Sequence, residues 1–193
     1  MTKAEKTRQF IIEQSAAIIN KKGMSGTSIT DLMEATKLAK GGIYGNFESK
    51  EEICLEVFDY LAGSAGRALE TAIANLPTAK KKLFAMLEFY QYQIAMNERG
   101  GCPLLNFGLE ADDTNEALRQ RVTKGIKRVQ QRMAKLIEDG KSNGEFSSKV
   151  DSAKFALKMF VMIQGAMFTA RVSNSPATMS TIVDLLKEEI DSF

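Results

Sequence analysis

The sequence predicts an all-α fold, and three observations support this. Apolar residues recur at three- and four-residue intervals along most of the 193 residues, which is the period of an amphipathic helix. Only fourteen glycines and three prolines interrupt the chain, so long helices are permitted almost everywhere. No stretch shows the alternation of apolar and polar residues that marks a half-buried strand. Because 44% of the residues are hydrophobic, the helices can enclose a core.

The composition excludes several classes of protein. There is no histidine, and the only cysteines are Cys54 and Cys102, so neither a zinc cluster nor a histidine-based catalytic triad can form. The first ten residues are charged, unlike a secretory signal, and the apolar run Met159–Ala170 is too short to span a bilayer. We therefore expect a cytoplasmic protein with reduced thiols, no metal, no cofactor and no membrane association.

Positive charge is concentrated at the front of the chain. Residues 1–50 carry eight Lys or Arg and five Asp or Glu, whereas residues 51–193 carry eighteen and nineteen. An excess of this size is compatible with polyanion binding, but solvated helix faces produce it equally well. The charge alone does not choose between these interpretations.

The first fifty residues predict three short helices followed by a longer one. Apolar spacing indicates a helix over Thr7–Lys22 that ends at Gly23. A capping box predicts a second helix from Ser28 to about Thr36, and a short glycine-containing segment, Leu38–Phe47, follows. A second capping box, Ser49–Glu52, opens the longer helix.

Two helices separated by a tight turn and supported by a third have the geometry of a helix-turn-helix, whose second helix enters the major groove of DNA. The segments that carry this pattern are Ile11-Ile12-Glu13, Gly23, Thr27-Ser28-Ile29, Lys40 to Phe47 and Ser49-Lys50-Glu51-Glu52. With this spacing, residues 5 to 62 closely resemble the N-terminal domain of the tetracycline-repressor (TetR/AcrR) family.

The resemblance implies a DNA-binding domain at residues 1–62, with its helix-turn-helix at about 27–46, and a helical ligand-binding and dimerisation domain at 63–193. Phosphate contacts come from lysines, hydroxyls and helix N-termini. The glycines have no side chains and allow the backbone of the recognition helix to lie close to the groove. Ile43 and Phe47 face the core. Lys40 and Asn46 are the candidates for base edges, and Tyr44 is a candidate for a phosphate. The predicted DNA-binding residues are Thr27, Ser28, Thr30, Lys40, Gly41, Gly42, Tyr44, Asn46 and Lys50.

Three positions depart from the family pattern. Ala39 stands where a hydroxyl residue is usual, Lys37 where the turn usually has glycine, and Gly45 where a larger side chain is common. These departures bear on the operator sequence and the affinity rather than on the motif.

The rest of the chain predicts longer helices over Lys80–Asn97, Asn115–Asp139, Asp151–Val172 and Pro176–Phe193. The third of these is apolar nearly all round and must be covered on every side. The resemblance implies a homodimer through the last two helices, and a four-helix interface would cover such a surface. Two DNA half-sites roughly 34 Å apart would match this symmetry.

The bulky residues of this second domain suggest a pocket for a small apolar or aromatic effector, because Met and aromatic side chains adapt to varied apolar ligands. For each of them, ordinary core packing is the alternative. The predicted ligand-binding residues are Phe84, Phe89, Tyr90, Met96, Cys102, Phe107, Met159, Met162 and Met167.

Cys102 has two interpretations. It lies in Gly100-Gly101-Cys102-Pro103 near Arg99, where flexibility and positive charge favour a reactive thiolate, and the loop resembles that of electrophile-responsive repressors. A buried, inert thiol is the alternative. Cys54 lies on an apolar helical face and is expected to be packing.

The sequence thus predicts a transcriptional regulator, a repressor that binds palindromic operator DNA as a homodimer and is released by a ligand. The alternative is an all-helical interaction adaptor whose basic N-terminus contacts a protein, without sequence-specific DNA binding. An enzyme using paired carboxylates is less well supported, because no such pair stands out and Asp112-Asp113 resembles a loop and helix cap.

Overall fold

The computed structural model describes residues 1–96 and 100–193, with every side chain in them except those of residues 93–96. These residues form nine α-helices and no strand, which confirms the all-α prediction. The helices are α1 (Lys3–Gly26), α2 (Ile29–Thr36), α3 (Lys40–Tyr44), α4 (Lys50–Ile73), α5 (Ala79–Met96), α6 (Pro103–Ala111), α7 (Glu116–Ser142), α8 (Ser152–Val172) and α9 (Ala177–Asp191).

The chain divides into two compact units. The N-terminal unit comprises residues 1–65 and 100–123, and the C-terminal unit comprises residues 66–96 and 124–193. Helices α4 and α7 each begin in the N-terminal unit and end in the C-terminal unit. Helix α6 belongs to the N-terminal unit, although its residues lie beyond the boundary at 62/63 that the sequence suggested.

Gly23 interrupts the first helix, as the sequence predicted. Its backbone has a positive φ (φ 76°, ψ 173°) and is not helical, and a further short helical stretch reaches Gly26. A Cβ at this position would lie 2.7 Å from a carboxylate oxygen of Glu110, so both the backbone angle and the space require glycine.

Capping boxes begin the next helices as the sequence predicted, with one difference. At α2, Ser28 Oγ accepts from the Asp31 amide at 3.1 Å, and the Asp31 carboxylate accepts from the Ser28 amide at 2.8 Å. At α4, the Glu52 amide donates to Ser49 Oγ at 3.1 Å, but the Glu52 carboxylate accepts from the amide of Glu48. The second box is therefore only half formed.

The core of the N-terminal unit is aliphatic, with one aromatic pair. Phe58 of α4 and Phe107 of α6 meet edge to face with their ring centroids 5.4 Å apart. Fully buried aliphatic residues from the first four helices pack in the same unit: Ile11, Ile19, Leu32, Ile43 and Ile53.

The C-terminal unit is built around α8, which packs against α5 and α9. By length and composition alone, α8 could cross a membrane. The apolar run Met159–Ala170, which is only twelve residues long, had not predicted this. Nine of its residues are buried inside the unit. Its composition is therefore that of a core helix.

Candidate nucleic-acid interface

Helix α3 is short and is held by one face. Ile43 is fully buried and Phe47, just beyond the helix, is nearly so, as the sequence predicted. Lys40 and Tyr44 lie on the exposed side, and the Lys40 ammonium is 6.0 Å from the centre of the Tyr44 ring. The solvent face of α3 therefore presents a cation and a phenol one turn apart.

Two exposed glycines complete this face. A Cβ at Gly41 would have no neighbour within 4 Å, and one at Gly42 would make only ordinary contact with Leu38 Cβ at 3.6 Å. The fold itself does not require glycine at either position. Their absent side chains leave the backbone of α3 open to a ligand outside the protein.

Arg8 of α1 fixes the C-terminal end of α3. Its guanidinium donates to the backbone oxygen of Asn46 and to carboxylate oxygens of Glu52 at 2.7 Å and Glu56 at 2.5 Å. It also lies 4.0 Å from the centre of the Phe47 ring. The hydrogen bond to Glu52 is the main cause that raises the pKa of Arg8, and it lowers the pKa of Glu52. One side chain thus connects α1, α4 and the segment that follows α3.

The turn between α1 and α2 is held from two directions. Lys50 Nζ donates to the backbone oxygens of Met24 at 2.8 Å and Thr27 at 2.9 Å. The Glu110 carboxylate accepts from the amides of Met24 at 2.7 Å and Ser25 at 2.5 Å. Burial opposes the ionisation of Glu110, but these amides and nearby Lys50 lower its pKa overall.

The start of α2 carries a second acidic contact. Asp31 accepts from Lys22 Nζ at 2.7 Å, and this bond, together with the amide and hydroxyl of Ser28, lowers its pKa to about 2. Ser28 and Thr30 remain exposed beside it. The helix that supports α3 therefore begins with a fixed carboxylate and two accessible hydroxyl residues.

The structure corrects part of the predicted DNA-binding set. Thr27 is fully buried and its hydroxyl donates to the backbone oxygen of Gly23 at 2.6 Å, so its side chain does not lie on the surface where the predicted contact with DNA would be made. The Lys50 ammonium is occupied by two carbonyls inside the unit rather than being directed at a phosphate. The Asn46 amide nitrogen donates to Gly42 O at 2.8 Å, which caps α3 instead of leaving that donor for a base.

Sequence reasoning missed the residues that hold this surface in place. Arg8 and Glu110 act across 38 to 86 positions of sequence, and no local pattern identifies their partners. Lys37, noted only as a departure in the turn, adopts a left-handed backbone with φ 58°. The sequence offered one signal for this conformation, namely a lysine at a turn position where glycine is favoured.

The predicted ligand-binding residues fall into separate groups. Phe107 is buried in the N-terminal unit against Phe58. In the C-terminal unit, Met159 and Met167 are core residues of α8, while Met162 is half-buried. The placements of Phe107, Met159 and Met167 agree with the core-packing alternative.

The aromatic residues of α5 are only partly buried. The centre of the Phe84 ring is 5.9 Å from the ammonium of Lys80 and 5.3 Å from that of Lys187. Phe89 and Tyr90 meet edge to face at 5.8 Å. The side chain of Met96 lies outside the described residues.

A cavity of about 400 Å³ lies in the C-terminal unit, and its walls include none of the predicted ligand-binding residues. It is lined by Val150, Asp151, Lys154, Phe155, Lys158, Glu189 and Phe193. Within the described ranges, no three His, Cys, Asp or Glu residues gather as metal ligands.

The two cysteines differ in exposure. Cys54 is fully buried, as expected, and burial raises the pKa of its thiol to about 12. Cys102 is half-buried at the N-cap position of α6. Its assignment as a sensor stays a prediction.

The outer face of α8 carries an exposed apolar stripe. Leu157, Val161, Phe168 and Val172 recur at four-, seven- and four-residue intervals, each at least half exposed, and Gly165 lies between them. Leu185 of α9 is 48% exposed. A contiguous apolar surface of this kind marks an interaction site.

Comparison with protein families identifies both parts of the chain. Residues 11–57 match the model of bacterial regulatory proteins of the tetR family, and residues 79–186 match the tetracyclin repressor-like C-terminal domain. The first range includes α2, α3 and the residues that pack them.

Individual relatives agree. An uncharacterized HTH-type transcriptional regulator of Lactococcus lactis is 27% identical over 96% of this chain and 93% of its own length. The Escherichia coli repressor NemR is 20% identical over 88% of this chain and 86% of its own. A TetR-family regulator from Cytophaga hutchinsonii has a crystal structure with a TM-score of 0.92 and 36% identity, covering 100% of this chain and 97% of that one.

A second crystal structure, of a TetR regulator from Chloroflexus aurantiacus, has a TM-score of 0.92 and 34% identity over 99% of this chain and 97% of that one. Both parts match in the same order and along nearly the whole length of the chain. The chain therefore belongs to the TetR family of DNA-binding transcriptional regulators.

Proposed function

We propose that this protein is a cytoplasmic repressor that binds a palindromic operator as a homodimer and is released when a small apolar or aromatic molecule binds its C-terminal unit. The observation that carries the proposal is the exposed face of α3. Lys40, Gly41, Gly42 and Tyr44 occupy it, while Ile43 and the Arg8 contacts hold the helix from behind. A fixed, open helix with a cation at its start suits the major groove.

The stripe on α8 supports the dimer. Its residues repeat at helical spacing over sixteen positions, from Leu157 to Val172, and leave about half or more of each apolar side chain in water. Pairing with the same surface of a second copy would remove this area from water and would be self-complementary by two-fold symmetry. Such a dimer would present two copies of α3, as a palindrome requires.

The C-terminal unit supports an apolar effector. Its α5 and α8 carry the aromatic and methionine side chains that adapt to varied ligand shapes, including Phe89, Tyr90 and Met162, which are only partly buried.

Operator binding is tested by mixing the full-length protein with fragments of its source genome and sequencing those retained. We expect one enriched palindrome with half-sites about 10 bp apart, or a multiple of that, bound with a steep salt dependence. Binding that never exceeds that of random duplex DNA would contradict the proposal and favour the interaction adaptor.

Effector release is tested separately, with the enriched operator and a panel of small aromatic and aliphatic compounds. We expect at least one compound to release the DNA and raise the melting temperature of the free protein, because a ligand that binds the folded state stabilises it. A protein that holds its operator against the whole panel would contradict the assignment of an apolar or aromatic effector.

A further inference from the structure

Lys37 occupies the turn between α2 and α3 in a conformation that lysine rarely adopts. Its backbone angles, φ 58° and ψ 23°, are left-handed. In this region the Cβ of an L-residue crowds the following carbonyl, whereas glycine meets no such penalty. Among the non-glycine residues of the described ranges, only Asn174 shares a positive φ, and asparagine tolerates it better.

The fold makes no visible use of the Lys37 side chain. It is exposed, and its ammonium takes part in no ion pair or hydrogen bond within residues 1–96 and 100–193. One structural benefit is available, since a cation at the C-terminus of a helix interacts favourably with the helix dipole. Lys37 caps α2, so an experiment must separate this benefit from a role in binding.

The position of the turn points to such a role. Lys37 precedes Lys40, the first residue of α3, by three positions, and both side chains are exposed. Unfavourable backbone conformations persist where function uses them. Lysine ammonium groups on the flank of a recognition helix contact phosphates and fix the register of the helix on the duplex.

We propose that Lys37 is a DNA-phosphate contact, retained in a strained backbone because its ammonium flanks the reading face of α3. The inference rests on the proposed function, since it needs operator DNA. It makes an unusual prediction: a single change should stabilise the protein and weaken its binding to DNA.

The decisive variant is Lys37→Gly, measured in the full-length protein on a duplex of about 30 bp that carries the enriched palindrome. Relief of the left-handed strain should raise the melting temperature by about 2 °C. Loss of one phosphate contact should make the negative slope of log K against log salt less steep, by about 0.9 for each lysine or about 1.8 for a dimer. At 0.1 M salt this corresponds to about eightfold weaker binding per lysine lost.

Two matched variants complete the experiment. Asn174→Gly makes the same backbone change in the turn between α8 and α9, and should leave operator affinity and the salt slope unchanged. Lys37→Arg keeps the charge and the backbone restriction, and should retain both the wild-type slope and the affinity to within about threefold.

The outcomes are separable. A Lys37→Gly variant with an unchanged salt slope, or with affinity that rises together with stability, would overturn the inference and leave the proposed function standing. A lower melting temperature for Lys37→Gly with an unchanged slope would assign the lysine to the dipole of α2. Equal losses of operator affinity in Lys37→Gly and Lys37→Arg would contradict a contact made by the charge and would overturn the inference. A wild-type protein that enriches no operator would reject both this inference and the proposed function.

Discussion

Each unit of this regulator is stabilised by contacts within itself, and the kinds of interaction differ between the two units. Around the helix-turn-helix, single charged groups reach across the sequence to backbone atoms: Arg8 to Asn46, Lys50 to Thr27, and Glu110 to Ser25. In the C-terminal unit a contact of this kind lies at the start of α5, where the Glu145 carboxylate accepts from the amides of Ala79 and Lys80, and charges also pair at the surface, as Lys158 does with Glu189 at 2.5 Å.

This difference has a functional reason. Hydrogen bonds to charged groups are directional and fix one geometry, which a helix that must match the groove of DNA requires. Apolar packing depends mainly on volume and tolerates exchange of side chains. A body that binds an effector and a second copy can therefore change its specificity without changing its fold.

The largest effect is expected at the exposed stripe on α8. Val161→Glu should raise the dissociation constant of the dimer by more than about 100-fold, because each subunit would bury an unpaired carboxylate in an apolar interface. Sedimentation equilibrium measures this change. Leu109→Glu, at a 64% exposed leucine on α6, is the matched control and should leave the dimer intact. A Val161→Glu protein as dimeric as the wild type would remove the stripe from the interface.

Replacing an exposed cation of α3 tests the contribution of the N-terminal unit to DNA binding. Lys40→Ala should weaken operator binding by about 10-fold to 100-fold, the range for a lost base contact, while leaving the dimer unaffected. Lys81→Ala, at an exposed lysine of α5, should change affinity by less than about twofold. Fluorescence anisotropy with a labelled operator measures both variants. Similar losses from the two substitutions would point to a general effect of charge and away from a reading face on α3.

The helix-turn-helix could be predicted because its signals are local. Ser28 and Asp31 are three residues apart, and the buried Ile43 follows from helical spacing. The helix that the sequence predicted over Asp151–Val172 begins next to Asp151, whose side chain accepts from the Lys154 amide at 3.0 Å. In each case the partners lie within one turn of helix, where sequence spacing fixes distance.

The sequence alone could not show that three predicted DNA-binding side chains donate hydrogen bonds to backbone carbonyls of the protein itself. Thr27, Lys50 and Asn46 have the chemistry of phosphate or base contacts, and only the folded chain shows which carbonyl each one meets. Glu110 lies 86 positions from Met24, on a helix that the sequence did not delimit. Long-range polar contacts depend on tertiary placement, so no periodicity reveals them.

Neutralising Glu110 tests whether charged contacts hold the N-terminal unit. Glu110→Gln should lower the free energy of unfolding by about 1 kcal/mol at pH 7, since the two amides would lose an ionised acceptor. The folded pKa of Glu110 is lowered, so its contribution is present above the ordinary glutamate value of 4.5 and is lost as pH falls through the lowered value. The difference in the free energy of unfolding between the wild type and Glu110→Gln should therefore narrow as the pH falls.

Urea unfolding at pH 7 and pH 4 measures this gap. Glu188→Gln, at an exposed position of α9, should change stability by less than about 0.5 kcal/mol at either pH. A gap for Glu110→Gln that stayed constant between the two pH values would mean that the carboxylate acts through its shape and not its charge.

The smallest expected change in stability, and the most direct test of close approach, comes from Gly41→Ala. A Cβ at this position meets no protein atom within 4 Å, and alanine favours helix, so the free energy of unfolding should stay level or rise by up to about 1 kcal/mol. The same methyl group would stand between the backbone of α3 and the groove, so operator affinity should fall by about tenfold while binding to random duplex is unchanged. Chemical denaturation and competition binding measure the two effects on one preparation. If the variant were both more stable and equally tight on its operator, the backbone of α3 could not be seated against the bases, and specificity would have to come from the longer side chains of Lys40 and Tyr44.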